Sequence, residues 1–410
     1  MYTECRQMPE VEFPAFSRTA PSPRSQNMNR WSNQLMLAVA GGTVVCLIGL
    51  ACAGQAAAQG PVAAARTQTA GEAFKNVTTS TLKGLTVSDF LGSMGVMSAA
   101  LGYDCADCHI AAGTDKVNWE FDTPKKRTAR RMVEMVAVIN RTNFGGAQMV
   151  TCWTCHHGRF LPSTTIALDT LYGTPNDERN DIVVPGEGQP PATQILDKYI
   201  EALGGAQRLA GLRSYIATGT SLGYEGLGGG GSFQIFAKAP DQRTTLIAFK
   251  EHPERGDSTR TYNGSSGWIK SPRGLFPIYE LTGSELDGAR LDAQLSFPGQ
   301  IKQVLGNWRA GALDSIGDKE VQVVQGSGPR GLLATLYFDK ESGLLVRLVR
   351  YSASPIGRVP TQIDYSDYRD VGGIKFPFKY TFTWLDGKDS FQLTDVKVNV
   401  PIDAATFGKP

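Results

Sequence analysis

The chain has 410 residues, with 41 Lys and Arg against 39 Asp and Glu, a formal net charge of +2 at pH 7. That near balance gives no basis for nucleic-acid binding. Seven Cys and only four His are present, so any place where the two types meet carries weight.

The first 58 residues read as an export leader. Arg30 precedes an apolar stretch from Leu35 to Ala53, and the small residues Gly54-Gln55-Ala56-Ala57-Ala58 suit cleavage after Ala58. The stretch is nearly long enough to span a bilayer uncut, so an N-terminal membrane anchor is the competing expectation. Met28 would give a more ordinary signal length, and Cys52 sits in a context that fits lipidation poorly. Past the leader no apolar run is long enough to cross a membrane. Cys5, Cys46 and Cys52 fall in the leader, which leaves four thiols for the mature chain.

Residues 70–165 read as a helical module. Thr86-Val-Ser-Asp89 resembles a capping box and opens a helix with Phe90, Leu91, Met94, Met97 and Leu101 on one face. That helix runs into Cys105-Ala-Asp-Cys108-His109. A second helix starts at Thr123-Pro124, with Thr as N-cap and Pro at the first helical position, and is expected to carry Met132, Met135, Val136 and Ile139 on one face. It precedes Cys152-Trp-Thr-Cys155-His156. The unit of Met-bearing helix, turn and Cys-x-x-Cys-His therefore occurs twice, with 15 residues from Met94 to His109 and 24 from Met132 to His156, as in an internal duplication with unequal loops.

Each Cys-x-x-Cys-His run places two thiols and an imidazole where a c-type haem needs them: the thiols form thioether links to the porphyrin, and the His reaches the iron. Two covalent haem c groups are expected, on Cys105, Cys108, Cys152 and Cys155, with His109 and His156 as axial ligands. Structural zinc or paired redox dithiols are the plain alternatives. Zinc ribbons separate their halves by roughly 15–20 residues, whereas 43 lie between Cys108 and Cys152, and neither alternative explains the histidines. With no thiol left over, no disulfide staples the fold. Haem attachment also agrees with export to the periplasm.

The sixth ligand decides the function. An iron held by His alone keeps an open face for peroxide, while a second protein ligand leaves outer-sphere electron transfer. The spare histidines are His157, which adjoins His156 and cannot readily reach the opposite face, and His252; thioethers stand on both apolar helix faces, so methionine is the expected partner.

At this point the sequence resembles the cytochrome c subunit of the photosynthetic reaction centre and its relatives outside phototrophs, over roughly Leu82 to Gly158. The residues that carry the resemblance are Phe90-Leu-Gly-Ser-Met94-Gly-Val-Met97, Ala129-Arg-Arg-Met132-Val-Glu-Met135 with Ile139-Asn140, and Val150-Thr-Cys152-Trp-Thr-Cys155-His156-His157-Gly158. The resemblance implies Met94 and Met132 as iron ligands, with Met97 and Met135 one turn later as substitutes. Phototrophic members carry four haems, and this chain has one pair, which implies service to some other redox protein or a quinone-linked membrane complex. Lys125, Lys126, Arg127, Arg130 and Arg131 form a basic cluster, and Arg130 and Arg131 are the candidates for haem propionate pairing or acidic-partner docking. Trp119, Phe121 and Trp153 are expected to shield haem edges.

Residues 166–191 read as a Pro- and Gly-bearing linker, and 192–410 as a β-rich module, so the whole is a multidomain α and α+β protein. A helix over Gln194 to Leu203 ends at a glycine pair. Strands are expected at Ser214 to Thr220, Ser232 to Lys238, Gln242 to Phe249, Gly267 to Lys270, Val321 to Gln325, Leu332 to Phe338, Leu344 to Tyr351, Gln362 to Tyr368, Phe376 to Trp384 and Phe391 to Val400. Tips at Gly228 to Gly231, Asp339 to Gly343 and Leu385 to Lys388 are hairpin signals. Helices are expected at Ser284 to Leu295 and Gln300 to Asn307.

This pattern predicts a curved, mostly antiparallel sheet with covering helices. It resembles the half-barrels of periplasmic lipoprotein carriers, through Gly373-Ile-Lys-Phe-Pro377 and Phe391-Gln-Leu-Thr-Asp-Val-Lys-Val. No catalytic or metal constellation occurs there, so the module reads as one that binds a small apolar ligand or docks a partner. Three functions compete: an electron carrier, a dihaem peroxidase-like enzyme with one open iron, and an envelope lipid binder with a haem tether.

Overall fold

The computed structural model describes residues 68–112, 116–162, 164, 182–224, 230–249, 256–270, 277–385 and 387–410. The leader, most of the linker, the glycine tip before Gly230 and His252 lie outside the described residues. No helix among those described is long and apolar enough to cross a membrane.

The N-terminal module is built from α1 (Ala70–Ala73), α2 (Val87–Leu101), α3 (Cys105–Cys108), α4 (Pro124–Asn143) and α5 (Cys152–His156). α2 begins where its cap requires: the Asp89 amide donates to Thr86 Oγ1 at 3.1 Å, and that hydroxyl donates to Asp89 Oδ2 at 2.9 Å. It ends at Gly102, whose φ of +64° is the left-handed conformation glycine adopts without strain. α4 likewise opens on Thr123 with Pro124 in its first turn.

The buried face of α4 differs from the one expected. Val133, Val136 and Asn140 point inward, while Met132 is half-buried and Met135 is 42% exposed. The helix is turned by about one position because Asn140, a polar residue that a hydrophobic count omits, takes an inward site and is paid back in hydrogen bonds.

The C-terminal module is one open, curved antiparallel sheet of 14 described strands. The first six run outward as a meander: β1 (Ser214–Tyr224), β2 (Ser232–Lys238), β3 (Gln242–Ala248), β4 (Ser258–Tyr262), β5 (Gly267–Lys270) and β6 (Ile278–Leu281). The rest return from the other edge: β7 (Gly306–Ala310), β8 (Asp314–Ile316), β9 (Lys319–Ser327), β10 (Leu333–Asp339), β11 (Leu345–Ser354), β12 (Gly357–Val371), β13 (Ile374–Trp384) and β14 (Gly387–Val398). β1 pairs with β14 and joins the two arms, and β8 pairs β9 off the main path.

Helices α6 (Ala192–Ala202), α7 (Ala206–Ala210), α8 (Gly283–Leu295) and α9 (Ile301–Val304) contribute to the sheet's main core. Leu196, Phe338, Leu348 and Ile301 are completely buried there; each such side chain contributes about 1.5–3 kcal/mol. The segment Gln300 to Asn307, expected to be helical, is so only over Ile301–Val304. From Gly306 it is strand, because pairing of Arg309 with Gln325 and Ala310 with Val324 completes the sheet edge. The end of the expected linker is also held: Pro185 bridges to Gly311, and the Val183 amide donates to Gln325 Oε1 at 3.3 Å.

The two modules share a core. Ile356, from the turn between β11 and β12, is completely buried among Phe90, Leu91, Val96 and Val133, with Val359 and Leu385 packed against the same cluster.

Candidate functional site: two matched thiol and imidazole turns

Both Cys-x-x-Cys-His runs fold as single helical turns with reciprocal caps. Asp104 precedes α3, and its Oδ1 accepts from the Asp107 amide at 3.1 Å while Asp107 Oδ2 accepts from the Asp104 amide at 3.1 Å. Thr151 precedes α5 and exchanges bonds with Thr154 in the same way, at 3.4 and 3.0 Å. One helical turn sets the two cysteines of each motif three residues apart on the same side. All four are free thiols; Cys105 and Cys155 are exposed, and Cys108 and Cys152 are half-buried, where burial pushes both thiols up.

The imidazoles are prepared differently. His156 Nδ1 lies 2.9 Å from the Arg159 carbonyl oxygen, a contact that fixes the ring and leaves Nε2 for another ligand. His109 is half-buried against the edge of Trp119, with ring centroids 4.9 Å apart, and its Nδ1 is sealed from solvent with no hydrogen-bond partner among the described residues. Burial, helped by Lys126 and opposed by the Trp119 backbone, lowers its pKa to about 4. The ring is therefore neutral near pH 7, the form that binds iron. Free thiols, a tethered imidazole and an orphaned buried ring nitrogen fit a covalently held haem at each turn. No group of three or more His, Cys, Asp or Glu among the described residues is arranged to hold a bare metal ion.

The turns are brought together by α2 and α5. Gly158, just past the second motif, donates its amide to the Ala100 carbonyl at 2.9 Å, just before the first. Met94 and Met97 of α2 are half-buried at the margin of the shared core, and Met132 of α4 is half-buried beside Val133.

The basic cluster of α4 is largely occupied in holding the first motif and the loop that follows it. Lys125 pairs with Asp107 at 2.8 Å, Lys126 Nζ donates to the Trp119 and Phe121 carbonyls at 2.8 and 3.0 Å, and Arg130 pairs with Asp122 at 2.5 Å. Arg131 is exposed. Arg127, Arg130 and Arg131 rim an open groove of about 620 Å³ with Thr78, Thr79, Ser80 and Glu134. Of the expected aromatic shields, Trp119 lies against His109 and Trp153, 40% exposed, lies against His157 with ring centroids 5.7 Å apart, whereas Phe121 is 51% exposed.

Several residues that build the site carry no motif. Asn140 Nδ2 donates to the Val150 carbonyl at 2.7 Å, and its Oδ1 accepts from the Met149 and Val150 amides at 3.1 and 2.9 Å, which fixes the entry to the second turn. Asp104 and Thr151 could have been found by their cap spacing. Gln148 and Ile356 left no local signal.

No curated protein matches the chain by sequence. Among solved structures, the C-terminal part is similar to a DUF1329 family protein from Desulfovibrio piger, at 13% identity, covering 54% of this chain and 98% of that one with a TM-score of 0.39. It is also similar to a LolA superfamily protein from Nitrosomonas europaea, at 15% identity, 54% and 99% coverage and a TM-score of 0.35. A third is a putative outer membrane lipoprotein-sorting protein domain from Vibrio parahaemolyticus, at 10% identity, 52% and 97% coverage and a TM-score of 0.36. For the N-terminal module the resemblance is one of family: residues 49–186, which enclose both motifs, match the family model of the photosynthetic reaction centre cytochrome C subunit.

Proposed function

We propose that the chain is a periplasmic dihaem c-type cytochrome that carries electrons. In this reading Cys105, Cys108, Cys152 and Cys155 anchor the porphyrins, His109 and His156 bind iron from one side, and Met94 and Met132 bind from the other. The observation that carries it is the pair of free-thiol Cys-x-x-Cys-His turns on matched capped helices within the stretch matched by the cytochrome family. Bound haem would supply a one-electron iron couple. The chain's own residues orient the imidazoles, through Arg159 at His156 and Trp119 at His109, and keep the neutral ring available.

Arg131, exposed on the rim of the α4 groove, presents its guanidinium to a haem propionate or to an acidic redox partner, and Arg130 beside it would join only by giving up its pair with Asp122. The sheet module is read as a docking or ligand-binding unit.

The protein matured with a working haem-attachment system should gain two porphyrin masses. Its oxidised spectrum should show a far-red sulfur-to-iron charge-transfer band, reduced by Met94→Ala and again by Met132→Ala. A colourless product refutes the reading. A reduced protein that binds carbon monoxide readily points instead to an open iron and the peroxidase-like enzyme.

A further inference from the structure

Hairpin turns ordinarily sit in solvent, yet the turn from Ser354 to Gly357 between β11 and β12 ends inside the other module. Ile356 at its tip has no exposed surface, and Cys152 packs against the cluster it enters. The backbone joins in: the Cys152 amide donates to the Ile356 carbonyl at 3.3 Å, and Gln148 Nε2 donates to the Ser354 carbonyl at 2.8 Å. Cys152 is the first residue of α5, so its N–H is one of those a helix cannot satisfy for itself. A residue about 200 positions away supplies the partner. The turn is stiff, since Ser354 Oγ donates to the Gly357 carbonyl at 2.7 Å and accepts from the Ile356 amide at 3.4 Å. At Gly357 a Cβ would stand 2.9 Å from Val96 Cγ1, so the fit against α2 is close.

The first motif is held by its own module: Thr123 Oγ1 donates to the Cys108 carbonyl at 3.2 Å, and Lys125 pairs with Asp107.

We propose that the β11–β12 turn is a positioning element of the second Cys-x-x-Cys-His turn: by fixing Cys152 through the Ile356 carbonyl and the buried Ile356 side chain, the sheet governs attachment and redox potential of the second haem, while its contact with the first half is with α2, where Met94 and Met97 border the same cluster, and not with the first motif. This rests on the dihaem reading. Outer contacts that orient an anchoring residue and exclude water tune both the binding and the potential of an iron centre, and here one of two otherwise similar turns has them from the sheet.

The test uses the full chain, matured with haem. After digestion, mass spectrometry reads porphyrin on the peptide with Cys152 and Cys155 against the peptide with Cys105 and Cys108. Ile356→Asp is expected to lower loading of the second peptide by about tenfold with the first unchanged, the scale on which outer-shell contacts act. Gln148→Ala is expected to leave both peptides loaded and to shift one of the two midpoint potentials. Leu348→Ala, at a completely buried β11 position in the sheet's own core, is the control: it weakens the sheet without touching the turn and should leave both readouts as they were.

Equal loss at both peptides, no change in either readout, or the same selective loss from Leu348→Ala overturns the proposal. If Ile356→Asp yields no folded protein, Gln148→Ala decides: unmoved potentials overturn the proposal, and one moved potential supports it. Porphyrin absent from both peptides of the unsubstituted protein refutes the dihaem reading itself, a separate result.

Discussion

The two Cys-x-x-Cys-His turns share a cap design and differ in what stands behind them. The first is backed by its own loop, with Trp119 against His109 and lysines of α4 tied to the chain that follows. The second is entered through Asn140 and seated on Ile356 of the sheet. The two turns thus share their local chemistry and differ in their support. Each short turn needs only a cap and one helical turn to form, but its placement depends on long-range packing, and that is where the halves diverge.

The largest effect is expected where the halves meet. Gly102 has φ +64°, and a Cβ there would stand 2.3 Å from the Gly158 carbonyl oxygen, so Gly102→Ala combines left-handed strain with a backbone clash. A loss of about 3 kcal/mol in urea unfolding is expected. Both motifs should loosen together, because the α2 end and the second turn separate; a loss confined to one motif would show that the halves are supported independently.

Asn140→Ala comes next and should act on the second half. It removes three hydrogen bonds and leaves Val150 groups poorly satisfied, for a cost of about 2 kcal/mol. Amide exchange should rise at Met149, Val150 and Cys152, while the residues around Cys105 keep their protection. Uniform exchange across both motifs would erase the contrast between the halves.

Much of this was legible locally. The caps at Thr86 and Thr123 open their helices as read, ten of the strands lie within a few residues of their expected limits, and the turn at Asp339 closes through Ser342. β4, β6, β7 and β8 were not anticipated. Ser258–Tyr262 and Asp314–Ile316 are polar and short, and they are strands because neighbours offer them pairing. The supports of the second turn were hidden for a related reason. Asn140 bonds to chain ten residues on, and Gln148 to chain 206 residues on. No periodicity records a contact at that separation.

The smallest expected effect concerns whether a polar contact adds to the apolar seat that α2 of the first half has on the sheet. Asp89, in the first turn of α2, accepts from the Ser284 amide through Oδ1 at 3.3 Å, at the start of α8, where the helix dipole favours an anion. Burial nevertheless raises the Asp89 carboxyl above its ordinary value, with Glu285 adding to this and Thr86, Ser284 and Arg330 opposing. Below the unfolded value both states hold the proton and the group is neutral toward folding. As pH rises, the unfolded chain ionises first, so the group's contribution to stability is lost up to the folded value. Asp89→Asn has no such loss. Between about pH 4 and about pH 7, the difference in unfolding free energy should therefore move toward the variant. If the difference stays constant, the Asp89 contact adds nothing to the apolar packing of α2 against Ile356 and Val359; if it moves as expected, a polar contact also holds the first half to the sheet module, and only the second half is seated on it through its own cysteine.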